Sequence, residues 1–373
     1  ISMLIGLSTA WGNSAKAQSL EETSKSVMQE ISGNENIGSD VSVSFEEVGS
    51  TQSSLEYYNN KTAAARALKQ GMLKRQNTIQ IGMKFTSEQD FDALKKELEN
   101  MACEHTKKPN EGDYLKHHIY SIQTSGNYKY VSSDSLFPYY YTIIYEIDYL
   151  TTLYQENQVE KTADSIFQAF KDRGYNFDTM TDYEKIETLY GYLVYTVVND
   201  KNYATKSESE QRLEHAAYSA LCNQSSICSG YALALYYLLN KAGIDTRYIG
   251  GYGRDARHAW NIARLNGKYY YLDATWDAEA SSYRDDLQYF LLGSNNTLFK
   301  KYHNSDSEYK QSDFTNKYRI STTDYSETQD QHIIHLDTNG ERGANEVFSR
   351  EYTVTNGKTY GDYHIPFSKD INF

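Results

Sequence analysis

Apolar positions recur along the chain with two different periods, and the switches between them outline its elements. Asn77–Phe85 (NTIQIGMKF) alternates as a half-buried strand does, whereas the following stretch, Ser87–Met101, sets Phe91, Leu94, Leu98 and Met101 at helical spacing. Tyr114–Ile122 and Tyr139–Ile147 read as two further strands, the second bounded by Pro138. Helices are predicted over Gln155–Asp172 and Asp182–Val198, the latter opened by a capping box of Thr181 and Glu184. A buried helix then starts at Cys228, carries Ala232, Leu235, Tyr236, Leu238 and Leu239, and closes on Gly243 with Ile244 behind it. Asn266-Gly267 downstream is the preferred two-residue type I′ hairpin turn. Residues 18–75 are instead rich in Ser, Asn, Gln and Glu, with one helical stretch at Thr62–Arg75. Near the end of the chain, Ile333–Leu336 and Glu351–Thr355 are short β-favouring runs, with turn chemistry at Asn339-Gly340 and Asn356-Gly357.

Composition narrows what these elements do. The 373 residues suffice for two or three domains, and 37 basic against 50 acidic side chains leave a net charge of −13. A nucleic-acid binder normally has a basic excess or stripe, so that class of partner is disfavoured. The apolar run Ile1–Trp11 is too short to span a bilayer. With Ala15-Lys16-Ala17 behind it, it reads as the end of a secretory signal, which predicts a mature chain starting near Gln18 and working outside the cell. The 36 tyrosines are expected half-buried on a sheet, rings inward and hydroxyls at the edge. Three cysteines, Cys103, Cys222 and Cys228, cannot form a closed disulfide framework, and a Cys103–Cys222 or a Cys222–Cys228 bridge both stay open. No metal or other cofactor is expected: Cys-x-x-Cys is missing, and His117-His118 and the His332/His335 pair lack companion ligands. Gly250-Gly251-Tyr252-Gly253 precedes no helix, so it reads as a slim strand and not a phosphate loop.

One stretch carries chemistry. A cysteine in the first turn of a helix meets unpaired N–H groups and the positive dipole end, which favour thiolate and could also hold a tetrahedral oxyanion. Gly230, two residues on, removes bulk near the sulfur. In the hairpin register Leu265 pairs with Lys268, which sets His258 opposite Thr275 and Trp260 opposite Asp273. Asp273 is then the diagonal neighbour of His258 on one face, with Cβ atoms about 7 Å apart, within reach of a hydrogen bond. The pattern is a triad in which Cys228 attacks, His258 exchanges the proton and Asp273 orients the imidazole.

CSGYALALYYLLNKAGI, HAWNIARLNGKYYYLDATWD and YFLLGS, in this order over about 150–310, resemble the transglutaminase-like superfamily. That resemblance implies an α+β fold: a papain-like core with the nucleophile helix packed on an antiparallel sheet. It assigns Cys228, His258 and Asp273 as the catalytic residues, and it suggests Tyr218, Ser229, Gly230, Trp260 and Trp276 as oxyanion-assisting or site-lining residues. It also implies acyl transfer from glutamine or peptide amides to an amine. Hydrolysis by the same triad (cysteine protease or deamidase) and a non-enzymatic surface scaffold are the rival readings. The tail, IIHLDTNG then YTVTNGKTYGDYHIPFSKDINF, resembles a truncated β-grasp repeat of Gram-positive surface proteins. The expected organisation is thus a partial signal (1–17), a polar segment (18–75), a small α+β domain (76–150), a catalytic domain (151–320) and a β module (330–373). The expected partners are protein or peptide substrates, cell-wall and surface proteins among them, with no nucleic acid and no membrane span.

Overall fold

A computed structural model describes residues 55–172, 175–280 and 287–326, together with three strands between 333 and 366. The expectations for 1–54 and for the Asn339-Gly340 and Asn356-Gly357 turns lie outside these residues. The first sheet has the order β1 (Tyr57–Tyr58), β2 (Thr78–Phe85), β4 (Tyr139–Tyr149), β3 (Ile119–Tyr130). Helices α1 (Lys61–Leu73) and α2 (Phe91–Ala102) bury Leu68, Met72, Leu94 and Leu98 in one core with Ile81, Met83, Ile143 and Tyr145 of the strands. Helix α1, which the sequence groups with the polar segment, is therefore part of this core. Asn60 and Asp90 cap the two helices, each accepting from a backbone N–H three residues on.

Tyr114–Ile122 is not one strand. Asp113–His117 forms a short helix, α3, and β3 begins only at Ile119. Gly112 enters α3 at φ +63, and the Asp113 carboxylate accepts from Arg247 Nε (2.6 Å), Arg247 Nη2 (2.7 Å) and the Tyr248 N–H (3.0 Å). These long-range bonds bend the chain where local alternation predicts extension.

The next core is built around an apolar helix. Helices α4 (Leu153–Lys171), α5 (Asp182–Thr196), α6 (Glu208–Glu214) and α7 (Ala217–Cys222) precede α8 (Cys228–Lys241), in which Gly230 to Asn240 are all buried. The Thr181/Glu184 capping box opens α5, and a second one, Thr152/Gln155, opens α4. A Schellman cap ends α8: Gly243, at φ +87, donates to Asn240 O, and Ile244 N donates to Leu239 O (2.8 Å). A short parallel pair, β5 (Val198–Asn199) with β6 (Ser225–Ser226), fixes the approach to Cys228. Helix α8 packs on an antiparallel sheet of order β10 (His303–Ser305), β7 (Thr246–Gly253), β8 (Ala256–Leu265), β9 (Lys268–Leu272). Asn261 ties helix to sheet, its Nδ2 donating to Ala232 O (2.9 Å) and to Arg247 O (3.2 Å).

The hairpin register is the expected one over its strands, from Leu265–Lys268 to Asn261–Leu272, with Asn266 and Gly267 both at positive φ. Its extension is not. Strand β9 stops at Leu272, and Ala274–Ala280 is a helix, α9, so the pairings of His258 with Thr275 and of Trp260 with Asp273 do not form. The Asp273 N–H goes to Tyr289 O (3.0 Å) and its Oδ1 accepts from Trp276 N (3.2 Å), which ends the ladder and caps the helix. At the end of the chain, β11 (Ile333–Thr338), β12 (Val347–Val354) and β13 (Lys358–Pro366) form an antiparallel sheet in that order.

Candidate active site

Cys228 is the first residue of α8, its half-buried side chain free of any disulfide. His258, on β8, donates from Nε2 to Asp273 Oδ2 at 2.7 Å, and the Cys228 side chain acts on the same imidazole. Since Nε2 is committed to the carboxylate, Nδ1 is left for the sulfur. A thiol, an imidazole and a carboxylate thus stand in line, from a helix start, a central strand and the residue after the hairpin. Asp273 reaches His258 as a helix cap and not as a strand neighbour.

Burial alone would push the His258 imidazolium toward losing its proton, but the Asp273 charge and hydrogen bond, with the Cys228 sulfur, outweigh it and raise its pKa to about 10. Asp273 is fully buried, which works against its charge, yet His258 and His303 hold it well below the ordinary carboxylate range. The pair is therefore imidazolium and carboxylate at neutral pH.

Surrounding groups lock this geometry. Asp277 accepts from Tyr190 Oη of α5 (2.6 Å) and from the N–H groups of Gln288 (2.8 Å) and Tyr289, so that Tyr289 O stays in place for Asp273. Trp276 stacks on the His258 ring at 4.8 Å and 22°, and Trp260, buried, lies 5.9 Å from it. The ring fits because position 253 is glycine: a Cβ there would meet His258 Cδ2 and Cγ at 2.9 Å and Trp276 Cζ2 at 2.8 Å. Gly253→Ala is expected to displace the imidazole and lower kcat by about 100-fold, the cost of an ångström-scale misplacement, with KM little changed. Steady-state kinetics beside a melting curve check this.

The other sequence candidates are placed as follows. Ser229 Oγ bonds His215 Nδ1 (2.8 Å), whose Nε2 meets Tyr203 Oη (2.9 Å). Gly230 faces away from the sulfur: a Cβ there would meet Ser226 Oγ at 1.9 Å and Glu214 O at 2.7 Å, so the glycine admits the segment packed behind the helix. Tyr218 is partly buried against the core of α8, and its hydroxyl pKa is raised by burial, with Cys222 and Tyr154 as electrostatic neighbours. The tyrosine that feels the Cys228 charge is Tyr203, whose hydroxyl burial pushes up to about 12. Tyr203, His215, Tyr190, Asp277 and His303 escaped the sequence reading, because each acts through a contact distant in the chain with no local pattern to mark it. Cys103 and Cys222 sit in different cores as free thiols, pushed by burial up to about 12 and about 11.

Among the described residues, His258, Asp273 and His303 bring metal-ligating atoms within 4.8 Å of one another. Both imidazole Nε2 atoms are also hydrogen-bonded to one carboxylate oxygen, Asp273 Oδ2. No helix among these residues is long and apolar enough to cross a membrane.

The family model of the Transglutaminase-like superfamily matches residues 172–274, which run from the residue that ends α4 to the first residue of α9 and include Cys228, His258 and Asp273. Residues 172–274 form a transglutaminase-like domain. The rest of the chain lies outside that match. Solved structures similar to the chain include one titled as a TGase, with 15% identity over 52% of this chain and 50% of that one, at a TM-score of 0.28. Another is the periplasmic domain of TgpA from Pseudomonas aeruginosa, with 14% identity over 43% of this chain and 64% of that one, at a TM-score of 0.25. The chain thus spans about half to two thirds of these structures. No curated protein sequence matches it. The transglutaminase-like domain supplies the mixed α/β core expected from the sequence, with α8 packed on an antiparallel sheet.

Proposed function

We propose that the chain is a thiol acyl transferase acting on glutamine side-chain or peptide amides outside the cell. The observation that carries this reading is the 2.7 Å hydrogen bond between His258 and Asp273, with the Cys228 side chain acting on the same imidazole. The thiolate adds to the amide carbonyl carbon, and the first-turn N–H groups of α8 face the oxyanion that forms. The C–N bond then breaks, the nitrogen leaves with the His258 proton, and a Cys228 thioester remains. An incoming amine adds to the thioester and gives its proton to His258, and the thiolate departs, leaving a new amide. Water in place of the amine would give deamidation or peptide cleavage. Placement outside the cell rests on the apolar start of the chain and on the likeness of residues 330–373 to surface repeats.

The test is incubation with a glutamine-containing peptide and a labelled primary amine, beside Cys228→Ala. Label transfer that is lost in the variant supports the transferase. Ammonia or peptide release without label assigns hydrolysis, and equal null results for both proteins under reducing conditions sink the enzymatic reading.

A further inference from the structure

His303 lies 30 residues beyond Asp273, on the three-residue edge strand β10, and no step above uses it. Its Nε2 is 2.9 Å from Asp273 Oδ2, the oxygen that accepts from His258, and its side chain is wholly buried. The ring lies flat on Phe299 (4.0 Å, 4°), against Trp276 at 4.3 Å and edge-on to Trp260 at 5.0 Å. Its backbone is held opposite Gly253, the residue that makes room for the His258 ring. Nδ1 has no hydrogen-bond partner. A buried lone pair without a partner costs less than a buried N–H without one, so the ring's single proton belongs on Nε2, toward the carboxylate.

We infer that His303 is a positioning residue, a neutral second donor that fixes Asp273 Oδ2 and moderates its pull on His258. The inference rests on the triad reading. The carboxylate then shares its charge between two N–H groups, and His258 parts with its proton to the departing nitrogen more readily than it would with the whole charge on it. Burial lowers the proton affinity of His303 and outweighs Asp273, which acts the other way, and this keeps the ring neutral. The titratable groups that face this cluster are Cys228, Asp277, Tyr289 and, by its action on Tyr289, Arg254.

The test reads the rate of alkylation of Cys228 by iodoacetamide against pH. It needs no substrate, so it is independent of whether the enzyme transfers or hydrolyses. His303→Phe keeps a flat ring on Phe299 but removes the donor, and His303→Gln restores an N–H near the Nε2 position. The alkaline limb, set by loss of the His258 proton, is expected to rise by about one pH unit in His303→Phe and to stay within a few tenths of the parent in His303→Gln. An unchanged or lowered limb in His303→Phe, or the same shift in both variants, overturns the inference. In the unsubstituted protein, imidazole nitrogen NMR is expected to show His303 as the neutral Nε2–H tautomer, and an Nδ1–H tautomer overturns the inference with no variant required. If the limb is also unmoved by His258→Ala, the triad reading itself fails.

Discussion

Asp273→Asn is expected to leave the fold intact and to lower kcat by about four orders of magnitude, the cost of losing the orienting carboxylate of a triad. The local chemistry sharpens this expectation. Asp273 accepts three hydrogen bonds, from His258 and His303 on Oδ2 and from the Trp276 N–H on Oδ1. An asparagine offers one oxygen and one NH2, so in either orientation a donor faces a donor. It also removes the Asp273 charge and hydrogen bond that raise His258 to about 10, leaving burial, which lowers its proton affinity, opposed by Cys228 alone. The active ion pair needs a protonated His258, so its alkaline limit is expected to fall from near pH 10. A pH–rate profile with the limb unmoved in Asp273→Asn would contradict this account.

The largest expected loss of stability is at Asp113→Ala. That carboxylate, 4% exposed, holds Arg247 Nε and Nη2 and the Tyr248 N–H, and it joins α3 to β7. Removing one partner of a buried pair strands the other charge, at a cost of about 3–5 kcal/mol. For a domain of this size that corresponds to roughly 6–20 °C in Tm. Because the penalty comes from the stranded cation, Asp113→Leu combined with Arg247→Met should recover most of it, and a double-mutant cycle by denaturant melting measures the difference. The pH dependence follows the same pair. Burial acts against the Asp113 charge, but Arg247 outweighs it and holds the group below its ordinary 3.8. The stabilisation is therefore complete above about pH 4 and is lost as acid titrates the folded carboxylate. Melts that are flat between pH 7 and pH 3 in the parent would exclude it.

What the sequence made legible was local. The Asn266-Gly267 turn, the Thr181/Glu184 box and the Gly243 cap each specify backbone geometry within a few residues, and the structure holds all three. Two elements were misread because distant partners decide them. Tyr114–Ile122 alternates like a strand, yet Arg247, far along the chain, pulls Asp113 into a helical turn. Residues 273–277 continue the alternation of β9, yet Tyr289 and Trp276 bend them into a capped helix. In the site, motif spacing pointed to Cys228, His258 and Asp273, while His303 and Tyr203 have no such motif to point to them. The tyrosines divide as well. Many, such as Tyr190, Tyr231 and Tyr236, are wholly buried helix residues and not half-buried sheet residues.

The four groups at the centre of the site come from four separate places: a helix start, a middle strand, a hairpin end and a three-residue edge strand. The hairpin closes over a two-residue turn and can form within microseconds. Strand β10, by contrast, must come back across some fifty residues to reach β7, so it docks only after that loop has closed. A refolding chain therefore acquires its helix and hairpin well before it acquires a fully held Asp273. The reactivity of one sulfur atom becomes a stopwatch for the last stage of folding, reaching its final value only when the edge strand has arrived.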